Sequence, residues 1–189
     1  MPNWCDNEVV ITASPELITE IDKIISNNEN GFEMNDFVPM PEHLRDTTSS
    51  GSTDKYASAL AGDTTVEYDN WYEWSLANWG TKWDVSDPYR SNDVNQILLS
   101  YNTAWAPNIN FWIQFSEKYP VEISHRYVEE GMSFIGEAKI KDGILDDYCV
   151  DIGEDIYRKA GVILEEDGTI DWESGQDYNL FDAFPLRGY

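Results

Sequence analysis

The patterning of apolar residues predicts an α+β fold built as one domain. Three observations predict it. A strand-like run near the N-terminus passes directly into an amphipathic helix, a strand, helix, strand, strand, strand succession runs from Val94 to Val150, and a nearly neutral middle lies between two acidic flanks. At 189 residues, with 41% hydrophobic and 14% aromatic content, the chain is long and apolar enough to bury a core.

The first element is Glu8 to Ala13, where Val9-Val10-Ile11 reads as a short buried strand. Ser14 then caps a helix with Pro15 in its first turn, and Leu17, Ile18, Ile21, Ile24 and Ile25 form its apolar stripe. Asn27-Asn28 and Gly31 end it. Phe32 to Pro41 carries Pro39 and Pro41, so an extended edge segment is expected there. Residues 46–63, rich in Thr, Ser, Gly and Asp, read as a mobile surface loop. Six rings fall in the sixteen residues from Tyr68 to Trp83; Trp71, Trp74 and Trp79 share much of one helical face, and Gly80 supplies the left-handed exit.

Val94 to Thr103 is a strand with Ile97, Leu99 and Tyr101 on one face, and Pro107 opens a helix through Ile109, Trp112, Ile113 and Phe115. Val121, Ile123, His125 and Tyr127 alternate with Glu122, Ser124 and Arg126, the pattern of a half-buried strand. Gly131 and Lys141-Asp142-Gly143 turn the chain into two further strands, Met132 to Ile140 and Ile144 to Val150. Beyond Asp151 a short helix to Ala160 is expected, then a hairpin across Asp167-Gly168 joining Val162-Ile163-Leu164 to Thr169-Ile170-Asp171-Trp172, and an apolar tail from Phe181 that docks. This divides the chain into a domain at 1–150 and an extension, 151–189, packed on it.

Charge is the outlier. Twelve basic residues against 36 acidic ones leave a net charge of −24, split into 17 acids and 5 bases over residues 1–90, 3 and 2 over 91–128, and 16 and 5 over 129–189. Direct binding to nucleic acid or anionic lipid is disfavoured, because both depend on Lys and Arg meeting phosphate. No run of about 18 apolar residues and no secretory leader pattern is present, so a cytoplasmic location is expected, with Cys5 and Cys149 as buried free thiols.

Catalytic signatures are missing as well. His43, His125, Cys5 and Cys149 have no metal-ligand spacing, Asp142-Gly143 and Glu166-Asp167-Gly168 lack the alternating carboxylates of a calcium loop, and no Gly-x-Ser-x-Gly or phosphate loop occurs. No cofactor, metal or catalytic residue is therefore assigned. His125 shares a strand face with Val121, Ile123 and Tyr127, which suits a hydrogen-bonded core histidine better than a general base. The ring-rich stretch has two readings, a packed aromatic core or an exposed platform for a ligand or partner, and the interleaved Asp69, Glu73 and Asp84 leave a protein partner open.

Five ordered blocks carry a resemblance: Met1-Pro2-Asn3-Trp4-Cys5-Asp6-Asn7, Val38-Pro39-Met40-Pro41, Asn78-Trp79-Gly80-Thr81-Lys82-Trp83-Asp84, Thr103-Ala104-Trp105-Ala106-Pro107 and Tyr127-Val128-Glu129-Glu130-Gly131-Met132-Ser133-Phe134-Ile135-Gly136. Together they resemble a YubB-like family of proteins encoded by phages and plasmids. The resemblance implies a ferredoxin-like split βαβ fold, with a mostly antiparallel sheet and helices on one face, plus an irregular acidic C-terminal extension. It brings no catalytic residues with it. Within the blocks Trp79, Trp83 and Trp105 are expected to pack together and Lys82 to pair with a nearby acid.

Charge and resemblance together lead to an acidic accessory protein of a mobile element. It would bind and inhibit a bacterial host protein with a basic nucleic-acid-binding surface, its carboxylates standing in for phosphates, with restriction and CRISPR-type defence complexes as natural targets. The alternative is a small enzyme or ligand-binding domain using the Trp79 to Asp84 turn, with a pocket near Trp79, Lys82, Trp83, Trp105 and His125 and with Lys82 and Arg126 as cations. A homodimer through a ring-rich surface is a third possibility. The candidate interaction or pocket residues are Trp79, Lys82, Trp83, Asp84, Trp105, Glu129 and Glu130.

Overall fold

The computed structural model describes residues 2–49, 58, 66–165, 168–171 and 177–184. Strand β1 (Trp4–Thr12) leads into helix α1 (Pro15–Asn27), a 3-10 turn at Met34–Asp36, and the short helices α2 (Glu42–Arg45) and α3 (Trp71–Asn78). Strands β2 (Ser86–Asn92) and β3 (Gln96–Ala104), helix α4 (Ile109–Lys118), strands β4 (Glu122–Glu129), β5 (Phe134–Lys141) and β6 (Ile144–Asp151), and helices α5 (Glu154–Lys159) and α6 (Leu180–Ala183) follow. The sheet order is β2-β3-β1-β4-β5-β6, with antiparallel neighbours throughout. β3 is inserted between β1 and β2, and β1 between β3 and β4, so two βαβ units interlock in the ferredoxin-like arrangement and β5-β6 extends one edge.

Local chemistry sets the element ends. The Ser14 hydroxyl accepts from the Leu17 N–H at the start of α1, and the Asn70 side chain accepts from the Glu73 N–H at the start of α3. Gly80 exits α3 at φ 83°, and Asp142 and Gly143 turn β5 into β6 at φ 52° and 74°.

Alternation along the strands builds the core. Val9 stands opposite Leu99 on one side and His125 on the other, and these join Ile11, Ile97, Ile123 and Ile140 on the buried face. Helices α1 and α4 cover that face with Ile18, Ile21 and Ile25 and with Phe111, Trp112 and Phe115. Each such side chain contributes on the order of 1.5–3 kcal/mol by leaving water. The opposite face carries a second, smaller cluster at one end, where Val128 and Ile135 meet Ile152, Ile156, Leu180 and Phe181 from the C-terminal segment.

Several expectations need correction. Phe32 to Pro41 is not an extended edge segment: it folds around the 3-10 turn and leads into α2, because the Asp84 carboxylate gathers the Met34 and Asn35 N–H groups and Phe32, Met34 and Phe37 sink into the core. Phe32 stacks on Trp112 at 5.6 Å and 6°. Edge strand β2 escapes the sequence pattern, since its segment Ser-Asp-Pro-Tyr-Arg-Ser-Asn is polar and bulged between Ser86 and Tyr89. Cys5 is buried as expected, but Cys149 is exposed, because β6 is an outer strand with little covering it. The expected C-terminal hairpin, by contrast, is present among the described residues in the antiparallel bridge between Leu164 and Ile170 and in the bonds from the Glu165 and Asp171 N–H groups to the Thr169 and Ile163 carbonyls; Asp167 and Trp172 lie outside the described residues, as do residues 50–57 and 59–63 of the expected loop and residues 185–189 of the tail.

Candidate functional site

Two of the other sequence blocks, Val38 to Pro41 and Thr103 to Pro107, meet the turn Asn78 to Asp84. The indole N–H of Trp79 donates to the Val38 carbonyl at 3.0 Å, and the Thr81 hydroxyl to the Ala104 carbonyl at 2.9 Å. Asp84 accepts from Met34, Asn35 and Val85 N–H at 2.7–3.0 Å. Burial pushes its carboxyl above the usual range while these three donors pull it back. The Trp79 carbonyl accepts from the Phe111 N–H at the start of α4, and Asn110 and Gln114 donate to carbonyls at the end of α3. A Cβ at Gly80 would come within 3.3–3.4 Å of the Pro107 to Asn110 backbone, a tight contact that adds to the φ of 83° in favouring glycine.

This turn walls a cleft of about 360 Å³. Trp71, Trp79 and Trp83 line it with Arg45 and Lys82, and Glu33, Asn35 and Asp84 complete the polar wall. The Lys82 ammonium lies over the Trp83 ring at 4.4 Å rather than beside an acid. A second hollow of about 260 Å³ lies beyond Lys82, lined by Tyr72, Thr81 and Trp105. The expected packing of Trp79, Trp83 and Trp105 is therefore not formed. Trp79 packs edge-on against Trp74 at 5.1 Å in the core, whereas Trp83 and Trp105 stand in solvent in separate hollows.

Nor do His125 and Arg126 join the cleft. His125 is fully buried under the sheet, its Nε2 bonded to Asn7 Oδ1 at 2.8 Å, while the Asn7 amide donates to Thr103 Oγ1 at 2.9 Å. Burial pushes its pKa down to about 3, so the ring is neutral and closed to a substrate. Arg126, on the opposite face, pairs with Glu8 and bonds the Phe181 carbonyl.

Trp105 belongs to a different surface. It holds φ 72° just after β3, a strained position for a side chain of this size, and its N–H donates to the Asn3 carbonyl. The Asn3 side chain stands against Gly131, next to Met132. A rim thus forms at one end of the sheet, with Trp4 42%, Trp105 46% and Met132 63% exposed. Exposed Asp6 and Glu130 flank it, and partial desolvation followed by the charge of Glu130 raises the Asp6 carboxyl. Glu129, by contrast, is buried and spends its carboxylate on the Gly131 and Met132 N–H groups of the turn.

Trp4, Met132, Arg45 and Trp71 were not among the sequence candidates. Trp71 lies inside the ring-rich run, Trp4 inside the first block and Met132 inside the last, which are available signals; Arg45 has none. Another hollow, of about 580 Å³ at the other end of β4 to β6, presents Lys139 and Lys141, already paired with Glu137 and Glu122. Among the described residues no group of three His, Cys, Asp or Glu side chains is placed to hold a metal ion, and no helix is long and apolar enough to cross a membrane.

The fold is that of a ferredoxin-like α+β protein. The family model described as a ferredoxin-like domain in Api92-like protein matches residues 78–168, from the Asn78 turn to beyond β6. The crystal structure of protein api92 from Yersinia pseudotuberculosis superposes with a TM-score of 0.52 at 9% identity, covering 81% of this chain and 99% of that one, a likeness of fold. No curated protein matches the sequence.

Proposed function

We propose that this is an acidic accessory protein, carried by a phage or plasmid, that binds a host nucleic-acid-binding protein in the bacterial cytoplasm and blocks it. The observation that carries the reading is the rim, where exposed Trp4, Trp105 and Met132 lie between Asp6 and Glu130. Rings beside carboxylates complement Arg and Lys doubly, through cation–π contact and charge-assisted hydrogen bonds. A partner cation also relieves the crowding of Asp6 by Glu130. The net charge of −24 steers a basic surface toward the rim over longer range. The resemblance of the sequence blocks to YubB-like proteins supports the mobile-element setting, and defence complexes that grip DNA are the natural class of target.

The test is affinity capture from a bacterial lysate with the parent chain and with Trp105→Ala and Asp6→Asn/Glu130→Gln variants. Nucleic-acid-binding proteins should be retained at about 50 mM salt, released by about 500 mM, and lost with either variant. Retention indifferent to both salt and the variants overturns the reading. A dimer that Trp105→Ala dissolves, seen by light scattering, would assign the rim to a second copy instead.

A further inference from the structure

The cleft beside Lys82 is a separate site, and its chemistry differs from that of the rest of the surface. Its acceptors are already filled by the protein. Asp84 holds three backbone N–H groups, Glu33 takes the side-chain amides of Asn28 and Asn30, and Asn35 Oδ1 takes the Met40 N–H and an Arg45 donor. The donors are not. Among the described residues Lys82 makes no ion pair and no hydrogen bond, and Arg45 is engaged only through Nε with exposed Glu42 and through Nη2 with Asn35. In a chain with three acids for every base, a lysine held on a ring face with no carboxylate partner is a poor stabilising device and an available anion ligand.

The rings supply the remaining specificity. Trp71 and Trp83 present flat apolar walls at the mouth while Trp79, 4% exposed, forms the floor. A volume of about 360 Å³ suits a ligand of nucleotide size and is too small for a folded partner. The surrounding charge of −24 disfavours polyanions, whereas a compact ligand bearing one anionic group can be met by Lys82 and Arg45 within the cleft, where the acids are already engaged by protein donors.

We propose that the cleft walled by Trp71, Trp79 and Trp83 binds a small planar aromatic ring carrying a single phosphate or carboxylate, the ring stacked on tryptophan and the anion held by Lys82 and Arg45. The site is independent of the rim and uses none of its residues.

Calorimetric titration of the full chain with four probes tests this: adenosine 5′-monophosphate, indole-3-carboxylate, adenosine and inorganic phosphate. At least one of the two ring-bearing anions should bind saturably with one-to-one stoichiometry, and the neutral nucleoside and free phosphate at least about tenfold more weakly than it, the step that 1.4 kcal/mol represents. Which anion binds more tightly separates the phosphate from the carboxylate source. Lys82→Gln and Trp83→Ala should each weaken binding at least about tenfold, with the circular dichroism melt showing that both variants fold. Arg45→Gln, at an exposed position, gives a second reading should either lose structure. No saturable binding of either anion at millimolar concentration overturns the proposal, as does binding that survives Lys82→Gln and Arg45→Gln. The Trp105→Ala rim variant should bind the probe as the parent does, which keeps this outcome separable from that of the capture experiment.

Discussion

The aromatic side chains of this protein fall into two populations that share a residue type and little else. Under the sheet, Phe32, Phe111, Trp112 and Phe115 are essentially without solvent contact and touch one another at centroid distances of 4.8–5.8 Å. At the sheet end and the cleft mouth, Trp4, Trp83 and Trp105 remain 40–46% exposed although each is as apolar as its buried counterparts. The first group holds the fold together. The second is kept in water at the expense of hydrophobic stabilisation, and Trp105 adds a strained backbone to that expense.

The comparison is broken or sharpened most strongly at Trp112. Trp112→Ala should destabilise by about 3–5 kcal/mol in denaturant unfolding, since it removes a stacked ring and leaves a cavity that α4 and the sheet cannot close. Asn7→Ala should cost about 2 kcal/mol in the same assay, because it leaves the buried His125 Nε2 without its partner and Thr103 with only the Ala106 carbonyl. His125 adds a pH dependence of definite sign. Its pKa is about 3 folded against about 6.5 unfolded, so the unfolded chain takes up the proton first, and stability present above pH 6.5 is lost as pH falls toward 3, with a slope of up to about 1.4 kcal/mol per unit. The gap in unfolding free energy between the parent and His125→Gln should therefore narrow from pH 7 to pH 5, and a constant gap would refute the neutral, buried assignment.

The smallest effect is expected at the rim. Trp105→Ala should change stability by less than about 0.5 kcal/mol, and Trp105→Gly, which accepts φ 72° without penalty, should be the more stable of the two. A loss at Trp105 comparable to that at Trp112 would return the rim to the core and remove its claim to be an interface.

How much of this was legible in the sequence follows the range of the interactions. The 3.6-residue stripe of α1, the Ser14 cap, the Gly80 exit and the alternation of β4 are each decided within a few residues, and all are found where the pattern placed them. The strand missed at Ser86 to Asn92 has almost no alternation to read, and it pairs only because β3 offers an edge. The candidate residues divide in the same way. Lys82, Trp83 and Asp84 reach one cleft with Trp79, Trp105 faces another hollow, and Glu129 turns inward as a cap.

The sequence by itself determined the α+β succession, the acidic balance of −24 and the blocks that mark the chain's key turns, because composition and short periodicities are properties of neighbouring residues. Only the tertiary structure decided which tryptophans are buried and which anions and cations meet. Trp4 is exposed through its register opposite Ala104, Arg45 reaches Lys82 through the fold of Phe32 to Pro41 around Asp84, and Asp6 crowds Glu130 through the pairing of β1 with β4. These contacts join segments tens of residues apart, and a pattern that repeats every two or four residues carries no record of them.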